Sequence, residues 1–425
     1  MKAVAASLIL TLSLQAADWS QFRGPNAAGI AADAQPPTEW SATKNREWKT
    51  ALPGPGTSSP IVAGGRVFVT CYSGYGDGSN GGMSDLKRHL VCVDLKSGKI
   101  LWTQTEPAQL PEDNYSGFLT EHGYASNTPV TDGENVYAFF SKSGVFAFDR
   151  NGKKLWHTDV GRMSNNRRWG SGASLMLHGD HVIVNAADEG RKIVALDRHT
   201  GKEVWSSPGS SLELAFGTPV IVKDGGREDL VIAVAEELWG MNPANGKLRW
   251  LAETGIPGNV SPSVVQGDGM VFAFGGYPRR ATVAVRTGGK GDVSDSHIAW
   301  RSPKTTYVPT PVYRGGHLYF VNDEGFAYCI EAKTGDIVYE ERVSGAGGAG
   351  RRGSKPFYAS AVEAGDHYYA VSRRGGTFVI ATKPKFQQLA HNVIADDESQ
   401  FNATPALVGN RIILRSDAAL HSFVR

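Results

Sequence analysis

Residues 193–205 read Ile-Val-Ala-Leu-Asp197-Arg-His-Thr-Gly201-Lys-Glu-Val-Trp205. An apolar run stops at an aspartate, a glycine follows four residues on, and a lysine leads into a short step to tryptophan. The same phrase stands at Val91-Cys-Val-Asp94-Leu-Lys-Ser-Gly98-Lys-Ile-Leu-Trp102 and at Phe146-Ala-Phe-Asp149-Arg-Asn-Gly152-Lys-Lys-Leu-Trp156. A looser copy runs from Met241-Asn242 through Gly246 to Trp250. The pattern is strand, turn, strand: Asp accepts from local backbone N–H groups and Gly takes the positive φ of the turn. Self-similarity at such spacing marks a repeat architecture.

A second phrase precedes each copy. Ser59-Pro60-Ile-Val-Ala-Gly-Gly-Arg-Val-Phe-Val and Thr128-Pro129-Val-Thr-Asp-Gly-Glu-Asn-Val-Tyr-Ala each read as two apolar runs around a Gly turn, a hairpin. Related starts occur at Ser174, Thr218, Ser261, Thr310, Ser360 and Thr404, which makes eight. Hairpin plus closing phrase gives four antiparallel strands per unit. The predicted fold is therefore all-β, an eight-bladed β-propeller. The outer-strand residue recurs at Trp48, Trp102, Trp156, Trp205, Trp250 and Trp300, with Tyr339 and Leu389 in the same role, at spacings of 39 to 54 residues. These side chains are expected to pack between blades. The eighth unit reaches Arg425 with three strands, whereas Trp48 has a strand but no blade. The N-terminal strand is thus predicted to complete the last blade and close the ring, which removes exposed sheet edges.

Charge is nearly balanced, 44 Lys and Arg against 42 Asp and Glu, so no global field draws the chain to nucleic acid or lipid. Residues 1–17, with Lys2, an apolar stretch from Ala3 to Leu14 and the small Ala16 and Ala17, have the pattern of a secretory signal peptide. That stretch is too short to span a bilayer. The expected mature unit is a single domain over 18–425, exported to the periplasm or beyond, and monomeric. Three cysteines are present. Cys71 and Cys92 fall on strands expected to be neighbours and either form a bridge or sit as buried small hydrophobes; Cys329 stands apart.

In a propeller, loops between blades and between second and third strands share one face. The long irregular segments 72–89, 103–127, 159–172 and 340–358 all fall there, and binding residues concentrate on such loops. The candidate ligand or partner face comprises Arg88, His89, His122, Tyr124, Arg167, Arg168, Trp169, Arg279, Arg280, Arg351, Arg352, Arg373 and Arg374. Two readings stand. Either the arginines neutralise nearby acids such as Asp188, Glu189, Asp323 and Glu324, or they converge on an anionic ligand through forked donors. Partners of that kind are a protein, an anionic glycan or a small molecule.

Signs of chemistry are sparse. The channel mouth is expected to present Ser58, Ser59, Asn127, Thr128, Thr218, Ser261, Thr310, Ser360 and Thr404, without the carboxylate pair a glycosidase needs. No zinc spacing and no hydrolase motif occurs. Gly76–Gly81 matches a dinucleotide glycine pattern only by letter, since no helix follows. Its oxygens at Asp77, Ser79, Asn80 and Asp85 miss the spacing of a calcium loop. No metal ligand is assigned.

The phrase from Ala195 to Trp205 resembles the repeat of the pyrroloquinoline-quinone (PQQ) superfamily, shared by quinoprotein alcohol dehydrogenases and the BamB outer-membrane assembly lipoproteins. Trp19-Ser-Gln-Phe-Arg-Gly-Pro-Asn is similar to the mature start of secreted PQQ-like repeat proteins. The resemblance spans residues 18–425. It implies either of two functions. One is a non-catalytic binding or scaffold propeller, without a cofactor. The other is a quinoprotein-type oxidoreductase acting on alcohols or sugars with PQQ and Ca²⁺. The dehydrogenases carry a vicinal disulfide and an acidic calcium set, and this sequence has no adjacent cysteines and no matching acids.

Overall fold

The computed structural model describes residues 18–346 and 355–425. The predicted leader and the Arg351-Arg352 pair lie outside the described residues. The chain forms eight antiparallel sheets arranged as the blades of a propeller. Blade 1 is Ile61–Ala63, Arg66–Ser73, Lys87–Asp94 and Ile100–Pro107. Blade 3, built on the opening phrase, is Met176–His178, His181–Ala186, Lys192–Asp197 and Glu203–Pro208. Blade 8 has Ala406–Val408, Arg411–Arg415 and Ala419–Val424, and its outer strand is Arg46–Ala51. That N-terminal strand lies antiparallel to Ala419–Val424, with Trp48 opposite Ser422. The first strand of the chain therefore closes the last blade.

The repeated phrase explains how blades lock together. The outer strand of every blade carries a β-bulge at the residue before the tryptophan position. A bulge twists its strand and re-aims side chains. Here it accompanies a ring laid on the neighbouring blade. The indole N–H of Trp48 donates to Leu95 O (2.9 Å), Trp102 to Arg150 O (3.0 Å) and Trp156 to Arg198 O (2.9 Å). Trp205 donates to Pro243 O (3.1 Å) and Trp300 to Ala332 O (2.9 Å). Each acceptor lies in the next blade's turn, which starts at Asp94, Asp149, Asp197, Asn242 or Glu331 and ends at the phrase's glycine. The glycine of that turn has positive φ, and a Cβ on Gly98, Gly152, Gly201, Gly246 or Gly335 would stand 2.4 to 2.9 Å from the approaching ring. Glycine is thus required twice, by backbone and by contact.

Blade 4 departs from this scheme. Trp250 donates instead to Asp229 of its own blade (2.9 Å), and a fifth strand, Gly291–Asp292, runs parallel beside it.

The inner strands are joined by a second device. The backbone N–H of Ser59 donates to Thr128 Oγ1 (2.9 Å), Thr128 to Ser174 Oγ (3.1 Å) and Ser174 to Thr218 Oγ1 (2.9 Å). Thr218 donates to Ser263 Oγ (3.1 Å), Ser263 to Thr310 Oγ1 (3.0 Å) and Thr310 to Ser360 Oγ (3.0 Å). Ser360 donates to Thr404 Oγ1 (3.0 Å), and Thr404 returns to Ser59 Oγ (3.1 Å). Eight blades form one closed circuit.

Two sequence expectations are corrected in detail, and the open choice for Cys71 and Cys92 is decided. The start of blade 5 is Ser263, not Ser261, because only the residue two before the strand Val265–Gly267 occupies the ring position. The blade 7 residue in the tryptophan position is Ala390, opposite Val379; Leu389 is the bulged residue and points outward, 43% exposed. Cys71 and Cys92 lie on paired strands but opposite His89 and Phe68 respectively, three positions out of register and about 10 Å apart along the strand. They are free buried thiols, as is Cys329.

Gly201→Ala is expected to lower stability by about 1–3 kcal/mol through strain and contact with Trp156. Gly179→Ala, also at positive φ but facing open space, should cost less. Chemical denaturation of the two variants checks the order. Deleting residues 18–51 should leave no cooperatively folding monomer, read by light scattering and thermal melting.

Candidate functional site

The central channel is closed from the tight-turn side by the segment after residue 18. Trp19 and Val62 exchange backbone hydrogen bonds (2.8 Å each), and Ser20 O accepts from Thr131 N–H (3.0 Å). Eleven residues after Ser20, Ala31 N–H donates to Glu363 O (2.8 Å). The segment therefore crosses from blades 1 and 2 to blade 7. Arg23 anchors it. This 1% exposed side chain donates to the carbonyls of Thr310 (2.7 Å), Pro311 (2.5 Å), Ala361 (3.1 Å), Ala28 (3.0 Å) and Ala27 (3.2 Å). Burial lowers its pKa to about 9, so it remains a cation at neutral pH, satisfied by backbone dipoles. Its neighbour Phe22 lines the bottom of what is left, a cup of about 160 Å³ open on the long-loop face.

The hydroxyl ring encircles the cup above Phe22. Each ring oxygen accepts one N–H, and its own O–H has no acceptor among the described residues. A serine or threonine hydroxyl can do both at once, so the ring presents up to eight donors inward. Aromatic side chains make the walls. Phe118 lies 5.0 Å from Trp169 and 6.0 Å from Tyr358, centroid to centroid, and Trp169 stacks on Phe216 at 6.3 Å. Tyr307 accepts from Asn259 (2.8 Å). His122 completes the lining: Nε2–H donates to Trp169 O (2.8 Å), and Nδ1 accepts from the Ser126 hydroxyl (2.6 Å). Burial lowers its pKa, which keeps it neutral. Among the described residues, none that lines the cup is Asp, Glu, Lys or Arg.

The sequence-predicted residues divide into three groups. His122 and Trp169 line the cup. Arg280 and Arg373 stand behind it, stacked on Tyr307 (4.9 Å) and Tyr358 (4.4 Å). Arg280 pairs with Asp323 (3.2 Å), and Arg373 with Glu121 (2.5 Å). Arg167, Arg168, Arg279 and Arg374 are exposed around the mouth. Arg88, His89 and Tyr124 are buried outside the cup. Arg88 pairs with Glu112, His89 bridges Ser73 (2.8 Å) and Thr105 (2.9 Å), and Tyr124 donates to Asp113 O (2.6 Å). The Gly76–Gly81 loop is satisfied internally: Asp77 accepts from Gly74 N–H (2.8 Å) and Ser79 (2.5 Å).

Sequence reading missed Phe216, Tyr358 and Asn402. A signal existed. Each lies two residues before a ring hydroxyl, as do Thr57, Ser126, Gly172, Ser261 and Val308, and all eight line the cup. Phe22 and Tyr307 come from loops and Phe118 from the 3-10 turn Gly117–Glu121, and none carries such a phase.

A family model described as outer membrane protein assembly factor BamB matches twice, over residues 38–171 and 169–341. The chain belongs to this family of PQQ-like repeat propellers. It is 33% identical over 148 residues to quinoprotein alcohol dehydrogenase PedH of Pseudomonas putida, covering 32% of this chain and 24% of that one. It is 27% identical over 155 residues to outer membrane protein assembly factor BamB of Kangiella koreensis, covering 36% and 32%. The matches thus span about a quarter to a third of these relatives. A europium-containing methanol dehydrogenase shares the fold, with a TM-score of 0.64 at 11% identity, over 98% of this chain and 100% of that one.

Arg23→Ala should strand buried carbonyls and destabilise the plug by about 2–4 kcal/mol. The expected readout is faster proteolytic cleavage within residues 19–31 while the blades stay protected.

Proposed function

We propose that this protein is an exported, non-catalytic binding propeller whose cup seats an uncharged, oxygen-rich ring, such as a sugar unit of a glycan. The observation that carries this reading is the cup's lining: hydroxyl donors at the base, aromatic faces on the walls, no charged side chain. Sugar rings present C–H faces to aromatic rings and oxygens to O–H donors, and concave sites with few polar groups suit small ligands. The exposed Arg167, Arg168, Arg279 and Arg374 would meet acidic substituents of a longer glycan at the mouth. Arg88, Arg280 and Arg373 are already neutralised by carboxylates and are not counted among the ligand contacts.

The PQQ alternative is disfavoured by the donor set. Three carboxylates of PQQ and a divalent ion need cations and acids beside them, and the cup supplies neither. The cysteines that would make a vicinal disulfide are absent. No redox step is assigned.

Isothermal titration against neutral and acidic oligosaccharides is expected to find binding that Trp169→Ala weakens at least about tenfold, roughly 1.4 kcal/mol. Binding of PQQ with dye-linked oxidation of an alcohol or sugar would overturn the reading. For export, protein recovered outside the cytoplasm should begin at Asp18 by intact mass.

A further inference from the structure

Behind the Phe118–Trp169 wall lies a second, smaller chamber with room for about one water molecule. It sits between blades 1, 2 and 3, and its chemistry is the opposite of the cup's. Four carboxyl groups face it, Glu112, Asp113, Asp188 and Glu189, against two cations, Arg88 and Lys142. All six side chains are at most 8% exposed.

Two of the acids are accounted for. Glu112 pairs with Arg88. Asp113 holds Lys142 (3.2 Å) and accepts from Ser164 (2.8 Å). The other two are not. Asp188 accepts from Asn165 with one oxygen (2.7 Å), but its Oδ1 and the Oε2 of Glu189 have no partner. Nε and Nη1 of Arg88 are likewise unpartnered. Arg191, on the same short helical turn as the two acids, is turned away to Glu213 (2.7 Å) and to the carbonyls of Ala187 (2.7 Å) and Asp188 (3.0 Å). Tyr124 faces the chamber with its ring under Arg88.

A buried excess of negative charge is held only with protons on it. We propose that this chamber is a proton-operated latch on the cup wall: while Asp188 and Glu189 share protons the wall is held, and losing them loosens it. The connection is covalent and short. Leu119, Gly170 and Ser171 line the chamber, and Phe118 and Trp169, their chain neighbours, line the cup. Asn165, which holds Asp188, also accepts from Trp169 N–H (3.3 Å).

The sign follows from the direction of the shifts. Burial first, then neighbouring acids, raise Asp188 to about 7, and burial and the Asp188 charge raise Glu189 well above the carboxylate range. Groups raised in the folded state add stability that is fully present below their unfolded pKa, about 4, and is lost as pH rises through the folded value. The wall should therefore be tight in mild acid and loosen above neutrality.

Hydrogen exchange of the ligand-free protein tests this, after correction for intrinsic rates, from about pH 5.5 to about pH 8.5. Protection in segments 108–127 and 159–172 is expected to fall about tenfold across neutrality while blades 5 and 6 stay constant. Asp188→Asn with Glu189→Gln should flatten that dependence. A flat wild-type profile, or a double variant that behaves as wild type, overturns the latch. If the double variant does not fold, infrared spectra of Asp188→Asn alone against the wild type decide: a protonated-carboxyl band that vanishes across the same range and is diminished in the variant supports the latch, and a band unchanged by the substitution overturns it. A transition that moves with the identity of added cations overturns it too, assigning the chamber to a metal ion. Because no ligand is used, any of these failures leaves the binding proposal standing.

Discussion

Eight backbone N–H groups, each donated to a hydroxyl on the next blade, set the geometry of this molecule. A single bond of this kind is worth on the order of 1 kcal/mol net. The circuit matters more than its members. Because Thr404 returns to Ser59, the distance between any two neighbouring inner strands is constrained by the other seven. Only serine or threonine serves at these positions, since the side chain must accept at short reach while the backbone of the same residue donates. The ring also fixes the width of the channel, and so the size of anything bound there.

Everything outside the ring is held by a second circuit with different chemistry. Indole rings lie on glycines of the next blade and donate to carbonyls in its turns. This circuit is imperfect: Trp250 turns back to Asp229, and Ala390 offers no ring at all. The inner circuit tolerates no such lapse. Apolar contacts at the rim can be exchanged for others of similar area, whereas an unpaired buried N–H at the centre has no substitute.

The outer circuit was the part most legible in the sequence, because Asp, Gly and Trp are each demanded by a separate local requirement. Strand count, blade count and closure by Arg46–Ala51 follow from that phrase. The inner ring was less legible. Serine and threonine are common, and Ser261-Pro262-Ser263 offers two hydroxyls, of which the Ser-Pro pair matches the other blade starts but Ser263 takes the ring position. The cup was half legible: residues two before each ring hydroxyl inherit its phase, but Phe22, Phe118 and Tyr307 are delivered by segments outside the repeat. The arginine pairs on the long-loop face looked alike in sequence, yet burial separates them. Arg88 and Arg373 are inside and neutralised, while Arg167 and Arg374 are outside, a distinction that depends on partners many residues away.

The placement of the N-terminal segment bears on the order in which the fold can assemble. Residues 19–51 leave synthesis before the blades, but Ile30 pairs at Glu363 and Trp48 pairs at Ser422. Until the last blade exists, the plug and the closing strand have no place to go. Contacts of such sequence separation form slowly and leave strand edges open meanwhile. The chain is therefore committed to a late, single closing event, in which its beginning and its end become ordered together.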